Sequence, residues 1–260
     1  MEDDEQAVLI DVQDRVRAHF GWSYQADVVS ANELRRACNE HPQAALFGWL
    51  PEQRQQTLEA VRQRLLDAAQ VVLVGAAANR QHLEGAWPQG TEFVAADGAV
   101  GACLGLVEPA CVVTDLDGGA HLEAAVASAV PLIVHAHGDN AKEWSASLDR
   151  WASNPPPLVL THQTHERHPD MFNPGGFTDG DRAVCFVRWL GVQEERLHLL
   201  GYDEAEVGPW SGFTNPARKL EKLSWMADIL DMVHPTWREA SMQNGRRDEP
   251  ATTGQRETQA

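Results

Sequence analysis

Cys111-Val112-Val113-Thr114-Asp115-Leu116-Asp117-Gly118 is a short β-rich run that stops at a polar, glycine-closed turn. A strand covered on both faces of a parallel sheet reads as such a continuous apolar stretch rather than as an alternation. Working outward, the same texture recurs at 71–75, 93–96, 132–135, 158–161 and 197–201. Helical candidates fall between these runs at 99–106, 122–129, 141–151 and 182–190, and a last one follows at 217–233. Strands spaced by helices predict an α/β fold, a doubly wound, mainly parallel sheet of about six strands.

Ahead of the sheet, residues 5–68 lack strand-like alternation and predict a helical N-terminal segment. Ser30, before Ala31-Asn32-Glu33-Leu34, reads as a helix cap, and Pro51 opens a helix over 52–69. The chain is therefore divided into a helical segment at 1–70, an α/β catalytic domain at 71–235 and a tail at 236–260. From Gln243 onward no apolar periodicity is visible, and that stretch is expected to be disordered.

Composition excludes some partners. The 260 residues carry 38 acidic and 21 basic side chains, a formal net charge of -17, so nucleic acid and anionic membranes are repelled. Only three basic residues are lysines, Lys142, Lys219 and Lys222, and the acids are spread along the chain, a surface expected of adaptation to high salt. Cys38, Cys103, Cys111 and Cys185 form no Cys-x-x-Cys pair and read as small buried hydrophobes in a reducing compartment. The N-terminus is acidic with no apolar segment behind it, and no run approaches the ~20 apolar residues of a membrane span. A soluble, cytoplasmic protein is expected.

Aspartates gather in Gly-flanked clusters: Thr114-Asp115-Leu116-Asp117-Gly118, His137-Gly138-Asp139-Asn140 and Thr178-Asp179-Gly180-Asp181-Arg182. With Asp97 they fall just past strand ends or at a helix start, and open α/β sheets bind ligands beyond the carboxyl ends of their strands. Carboxylates two apart in a turn can converge on Mg²⁺, which prefers oxygen ligands and bridges to phosphates. Asp115 and Asp117 are the strongest ligand candidates, because Leu116 between them would point into the core. The competing use of such sequences is an Asx-turn or helix cap, which applies to Asp117 and to one of Asp179 and Asp181. Zinc competes at His135, His137, His162, His165 and His168, but no cysteine pairs with them and no His-Glu-x-x-His occurs. Gly75-Ala76-Ala77-Ala78-Asn79 is a small-residue turn that could cradle phosphate, and Lys219 and Lys222 could reach a polyphosphate or form a solvated face.

Four motifs in order, Val94-Ala95-Ala96-Asp97-Gly98-Ala99, Val113-Thr114-Asp115-Leu116-Asp117-Gly118, Val134-His135-Ala136-His137-Gly138-Asp139-Asn140 and Gly175-Gly176-Phe177-Thr178-Asp179-Gly180-Asp181-Arg182, closely resemble the archaeal-type 6-hydroxymethyl-7,8-dihydropterin pyrophosphokinase family. That family is similar in turn to thiamine pyrophosphokinase. The resemblance covers about residues 71–233 and implies Mg²⁺-dependent transfer of diphosphate from ATP to the hydroxymethyl group of a reduced pterin, releasing AMP, in folate or tetrahydromethanopterin biosynthesis. By resemblance Asp115, Asp117, Asp139, Asp179 and Asp181 hold Mg²⁺ or orient the hydroxyl. Gly75, Ala76, Asp97, Gly98 and Arg182 lie near nucleotide, and Gln163, Thr164, Asn173, Gly176 and Phe177 line the pterin pocket. The chain departs from the family at the first turn, where Gly75-Ala-Ala-Ala-Asn79 replaces a Gly-x-Gly-Pro-Ser type. A thiamine-type pyrophosphokinase and a non-catalytic nucleotide-binding module are the alternatives. The helical N-terminal segment is left three roles: packing on the sheet, covering the site, or forming a homodimer interface.

Overall fold

The computed structural model describes residues 3–138, 140–212 and 214–239. Four helices come first, α1 (Asp3–Phe20), α2 (Tyr24–Glu40), α3 (Ala44–Phe47) and α4 (Pro51–Asp67). The sheet then alternates with helices: β1 (Gln70–Val74), α5 (Arg80–Leu83), β2 (Thr91–Ala96), α6 (Val100–Cys103), β3 (Cys111–Thr114), α7 (Gly119–Ala127) and β4 (Leu132–Ala136). It ends with α8 (Ala141–Trp151), β5 (Leu158–His162), α9 (Asp179–Trp189), β6 (Leu197–Leu200) and α10 (Pro216–Val233). All six expected strands form, and every pairing is parallel, in the order β5-β4-β3-β2-β1-β6. The chain steps outward from β1 to β5 and then crosses back to lay β6 on the other side of β1. The switch point of the sheet thus lies between β1 and β6, where open α/β sheets form a crevice.

Successive residues of each strand face opposite sides, and both sides are covered. On one side Leu73, Val94, Val113 and Ile133 pack with α1, α4, α9 and α10 through Val12, Leu65, Phe186 and Leu230. On the other, Val72, Ala95, Val112 and Leu132 pack with α2, α7 and α8 through Leu34, Leu122, Leu148 and Trp151. The N-terminal helices are therefore split between the two faces. At the β5 end of α4, Arg54 pairs with Asp170; toward its other end Arg64 reaches Glu92 on β2 at 2.7 Å. Trp237 is also buried in the first core, and residues 240–260, most of the expected tail, lie outside the described residues.

Several boundaries differ from expectation, among them α7, which runs Gly119–Ala127 rather than 122–129. α2 begins at Tyr24 under a Ser23 cap, whose hydroxyl accepts from Ala26 N–H at 3.3 Å, and Ser30 sits buried within the helix. Its hydroxyl meets Asn140 Oδ1 at 3.4 Å and accepts from Trp144 Nε1 at 3.3 Å, so a serine that looks like a cap is a tertiary contact. The helix expected at 99–106 shrinks to a 3₁₀ turn at Asp97–Ala99 and the single turn α6, ending before Gly105, whose φ of 76° stops it. α9 starts at Asp179, three residues before Arg182. The four cysteines are free and buried. No helix among the described residues is long and apolar enough to cross a membrane.

Candidate active site

At the end of β3 the backbone is bent into a special shape. Thr114 Oγ1 accepts from Leu116 N–H at 2.8 Å and donates to Asp97 Oδ1. Leu116 takes a left-handed φ of 81°, sparsely populated for a bulky residue, and buries its side chain in the core. Asp115 and Asp117 consequently face the rim together. Gly118 is required by the same turn, since a Cβ there would lie 2.9 Å from both carboxylate oxygens of Asp97. Asp97 itself has a φ of 43° and opens the 3₁₀ turn after β2.

This geometry brings oxygens of Asp97, Asp115 and Asp117 within 4.8 Å of one another. Burial pushes the Asp97 carboxyl well up, and the charges of Asp179, Asp115 and Asp117 push it further. Burial and then the Asp115 charge also raise Asp117. Burial works in the same direction on Asp115. There, however, the hydrogen bond and charge of His137, whose Nε2 lies 3.3 Å from Oδ2, prevail with Arg182 and Lys222, and the group is held well below the carboxylate range. Asp179, at the start of α9, is pushed up to about 7 by burial and by Asp115, against Arg182 at 3.1 Å. Asp115 Oδ1 is buried with no hydrogen-bond partner. Converging carboxylates, mutual repulsion and an orphaned oxygen describe a site short of positive charge, and the all-oxygen donor set fits Mg²⁺.

Asp181 is placed differently. It is fully buried, and its oxygens accept from Phe177 N–H, Thr178 N–H and the Thr178 hydroxyl, closing a capping box at the start of α9. Asp139 lies outside the described residues.

Two cavities meet at Asp117. The first occupies the switch point, walled by the Gly75-Ala76-Ala77 turn, Asp97, Gly98, the Gly201-Tyr202 corner and Trp210, with Asp179 and Lys219 opposite. Gly201 is needed there: its φ is 73° and a Cβ would sit 2.0 Å from Ala78 N. The second lies over the ends of β3, β4 and β5 and holds Asp115, His137, Gln163, Phe177, Arg182 and Lys222, with Trp22 from the α1–α2 turn. Gly75, Ala76, Asp97 and Gly98 thus line one cavity, and Gln163 and Phe177 the other. Arg182 stands in the second rather than the first, donating to the Phe177 carbonyl at 2.6 Å. Thr164, Asn173 and Gly176 are not brought to either cavity. Thr164 Oγ1 bonds His162 and His168, and Gln13 of α1 engages both the Asn173 side chain and the Gly176 carbonyl.

Sequence reading missed the contribution of α1 and α2. Asp27 accepts from Gly138 N–H at 2.8 Å through one oxygen, and from Arg17 at 3.0 Å and Gln163 Nε2 at 2.9 Å through the other. Gln163 Oε1 then meets His135 Nε2 at 3.2 Å, while His135 Nδ1 meets Thr161 at 3.0 Å. A buried chain of bonds thus runs from the N-terminal helices to the floor of the second cavity. It also occupies His135, and His162 and His168 are joined through Thr164, so among the described residues no set of histidines converges as a zinc site would. No local sequence signal ties Arg17 or Asp27 to the site, because the Gly138 and Gln163 groups they hold lie more than a hundred residues away.

No family model matches the chain. Among curated proteins, a Methanothermobacter thermautotrophicus 6-hydroxymethyl-7,8-dihydropterin pyrophosphokinase is 34% identical over 238 residues, covering 84% of this chain and 90% of the relative. A protein of the same name from Pyrococcus furiosus is 33% identical over 173 residues, covering 63% of this chain and 71% of the relative. At this identity and coverage, with the acidic rim and paired cavities in place, the chain belongs to the 6-hydroxymethyl-7,8-dihydropterin pyrophosphokinase family.

Proposed function

We propose that the protein transfers diphosphate from ATP to the hydroxymethyl group of 6-hydroxymethyl-7,8-dihydropterin in a Mg²⁺-dependent reaction, giving AMP, and so serves folate or tetrahydromethanopterin biosynthesis. The observation that carries this reading is the carboxylate cluster standing where two cavities meet, since a transfer enzyme must hold donor and acceptor on either side of the reacting phosphorus. The switch-point cavity takes ATP: the small-residue turn after β1 leaves room for phosphates, and Trp210 offers an aromatic wall. The second cavity takes the flat ring, between Trp22 and Phe177.

Asp97, Asp115 and Asp117 would hold the Mg²⁺, with Asp179 beside them. When bound, the ion neutralises charge on the phosphate oxygens, and the rest of catalysis is positioning. The acceptor hydroxyl oxygen forms a bond to the β-phosphorus while the bond from that phosphorus to the oxygen bridging it to the α-phosphorus breaks. AMP leaves with the bridging oxygen. The hydroxyl proton is released to water on the acceptor side, where the second cavity opens beside Asp115 and His137.

The test is a product assay with purified protein, Mg²⁺ and ATP. AMP should form with hydroxymethyl-dihydropterin and not with thiamine, and EDTA should abolish turnover. Turnover with thiamine alone, or none with either acceptor, would overturn the reading.

A further inference from the structure

The chain has three lysines against eighteen arginines, and two of the three sit one helical turn apart on α10. They are on its inner face: Lys219 and Lys222 are half-buried, whereas their neighbours Arg218 and Glu221 are exposed. Lys219 lines the switch-point cavity with Asp179, and Lys222 lines the acceptor cavity with Asp115. Both charges act on Asp117, which the two cavities share. Among the described residues neither ammonium has a carboxylate within ion-pairing distance, and Lys222 Nζ instead stands 5.6 Å and 5.8 Å from the ring centres of Trp22 and Phe177.

Two unpaired cations flanking the carboxylate where the cavities meet are placed for a group that carries its own negative charge across that point. A compact, three-donor ammonium can follow a moving phosphate oxygen, which the rigid fork of arginine does less well. We infer that Lys219 and Lys222 divide the transfer path, Lys219 holding ATP phosphates on the donor side and Lys222 acting as a catalytic residue on the β- and γ-phosphate oxygens as the diphosphate moves to the acceptor. The inference rests on the reading of the site as a diphosphotransferase. The bonds made and broken are those already given, and neither lysine gains or loses a proton.

Substitution by methionine separates the roles while keeping the aliphatic stem. Lys219→Met should weaken binding of a non-hydrolysable ATP analogue with Mg²⁺ about tenfold, as loss of one charge-assisted hydrogen bond predicts, with pterin affinity unchanged. Lys222→Met should leave analogue binding within about twofold and lower kcat about a hundredfold, the effect of removing one preorganised charge from a transition state. Lys142→Met, at an exposed position on α8, is the control and should match the parent protein. Melting temperatures of all variants should lie within a few degrees of the parent, since neither α10 lysine makes an ion pair. Lys222→Met with parental kcat, or equal losses of ATP affinity in both variants, would overturn the division of roles while parental turnover still upholds the function. An inactive parent protein would sink the function and this inference together.

Discussion

At the residue scale, the acidic site is held in a state that the metal-free protein resists. Asp179 is pushed up to about 7, and Asp97 and Asp117 are raised too, because burial and mutual repulsion oppose ionisation. For a carboxyl raised above its unfolded value, the stabilising proton is bound at low pH and lost as pH rises through the folded value. At neutral pH the cluster therefore weakens the fold unless a cation is bound. Asp179→Asn removes one repulsive charge while keeping an oxygen to accept from Arg182. In EDTA it should raise the melting temperature by a few degrees, equivalent to about 1–2 kcal/mol, and it should shrink the additional rise produced by Mg²⁺. A lower metal-free melting temperature with an undiminished Mg²⁺ effect would show that Asp179 stands apart from the cation site. Activity should fall at least about tenfold in the same variant.

At the scale of elements, the start of α9 shows where sequence is legible and where it stops being so. Thr178-Asp179-Gly180-Asp181 contains two carboxylates, and the residue types alone support either capping or metal binding for each. The structure places Asp181 inward, satisfying two backbone N–H groups and a hydroxyl, and Asp179 outward to the cavity. Helix phase makes the distinction: one residue sits at N1 and the other at N3, and only N3 can reach back to the cap. Asp181→Ala leaves buried donors unpaired and should cost about 2–4 kcal/mol in denaturant unfolding, with the Mg²⁺-induced shift preserved. Loss of that shift in a folded Asp181→Ala protein would return Asp181 to the metal. The six strands were legible because each is a short apolar run closed by glycine or a polar turn. The work of α1 and α2 was not, because Arg17, Asp27 and Gln13 are ordinary polar residues of amphipathic helices until the fold brings them to Gln163 and Asn173.

Across the whole molecule two sets of buried titratable groups pull stability in opposite directions with pH. His162 is pushed down to about 3 by burial and the nearby His168 charge, and burial also holds His135 well below its ordinary value. Both stay neutral when folded, so the unfolded chain binds more protons below about 6.5, and stability falls from there toward acid. The raised carboxyls act oppositely, since their contribution is lost as pH rises toward and past 7. Metal-free protein should therefore lose stability from mildly acidic to alkaline pH, as the raised carboxyls give up their protons. Mg²⁺ bound at the proposed carboxylate site should suppress only the alkaline limb, since it would replace protons on the carboxylates and leave His135 and His162 untouched. Melting temperatures across about pH 4.5–8.5 in EDTA and in Mg²⁺, at constant ionic strength so that screening of the -17 net charge does not vary, should show that alkaline loss shrinking with metal. An equal Mg²⁺-induced rise at both ends of that range would mean that the ion binds elsewhere on the acidic surface, and the link between the carboxylate cluster and the cation would fail.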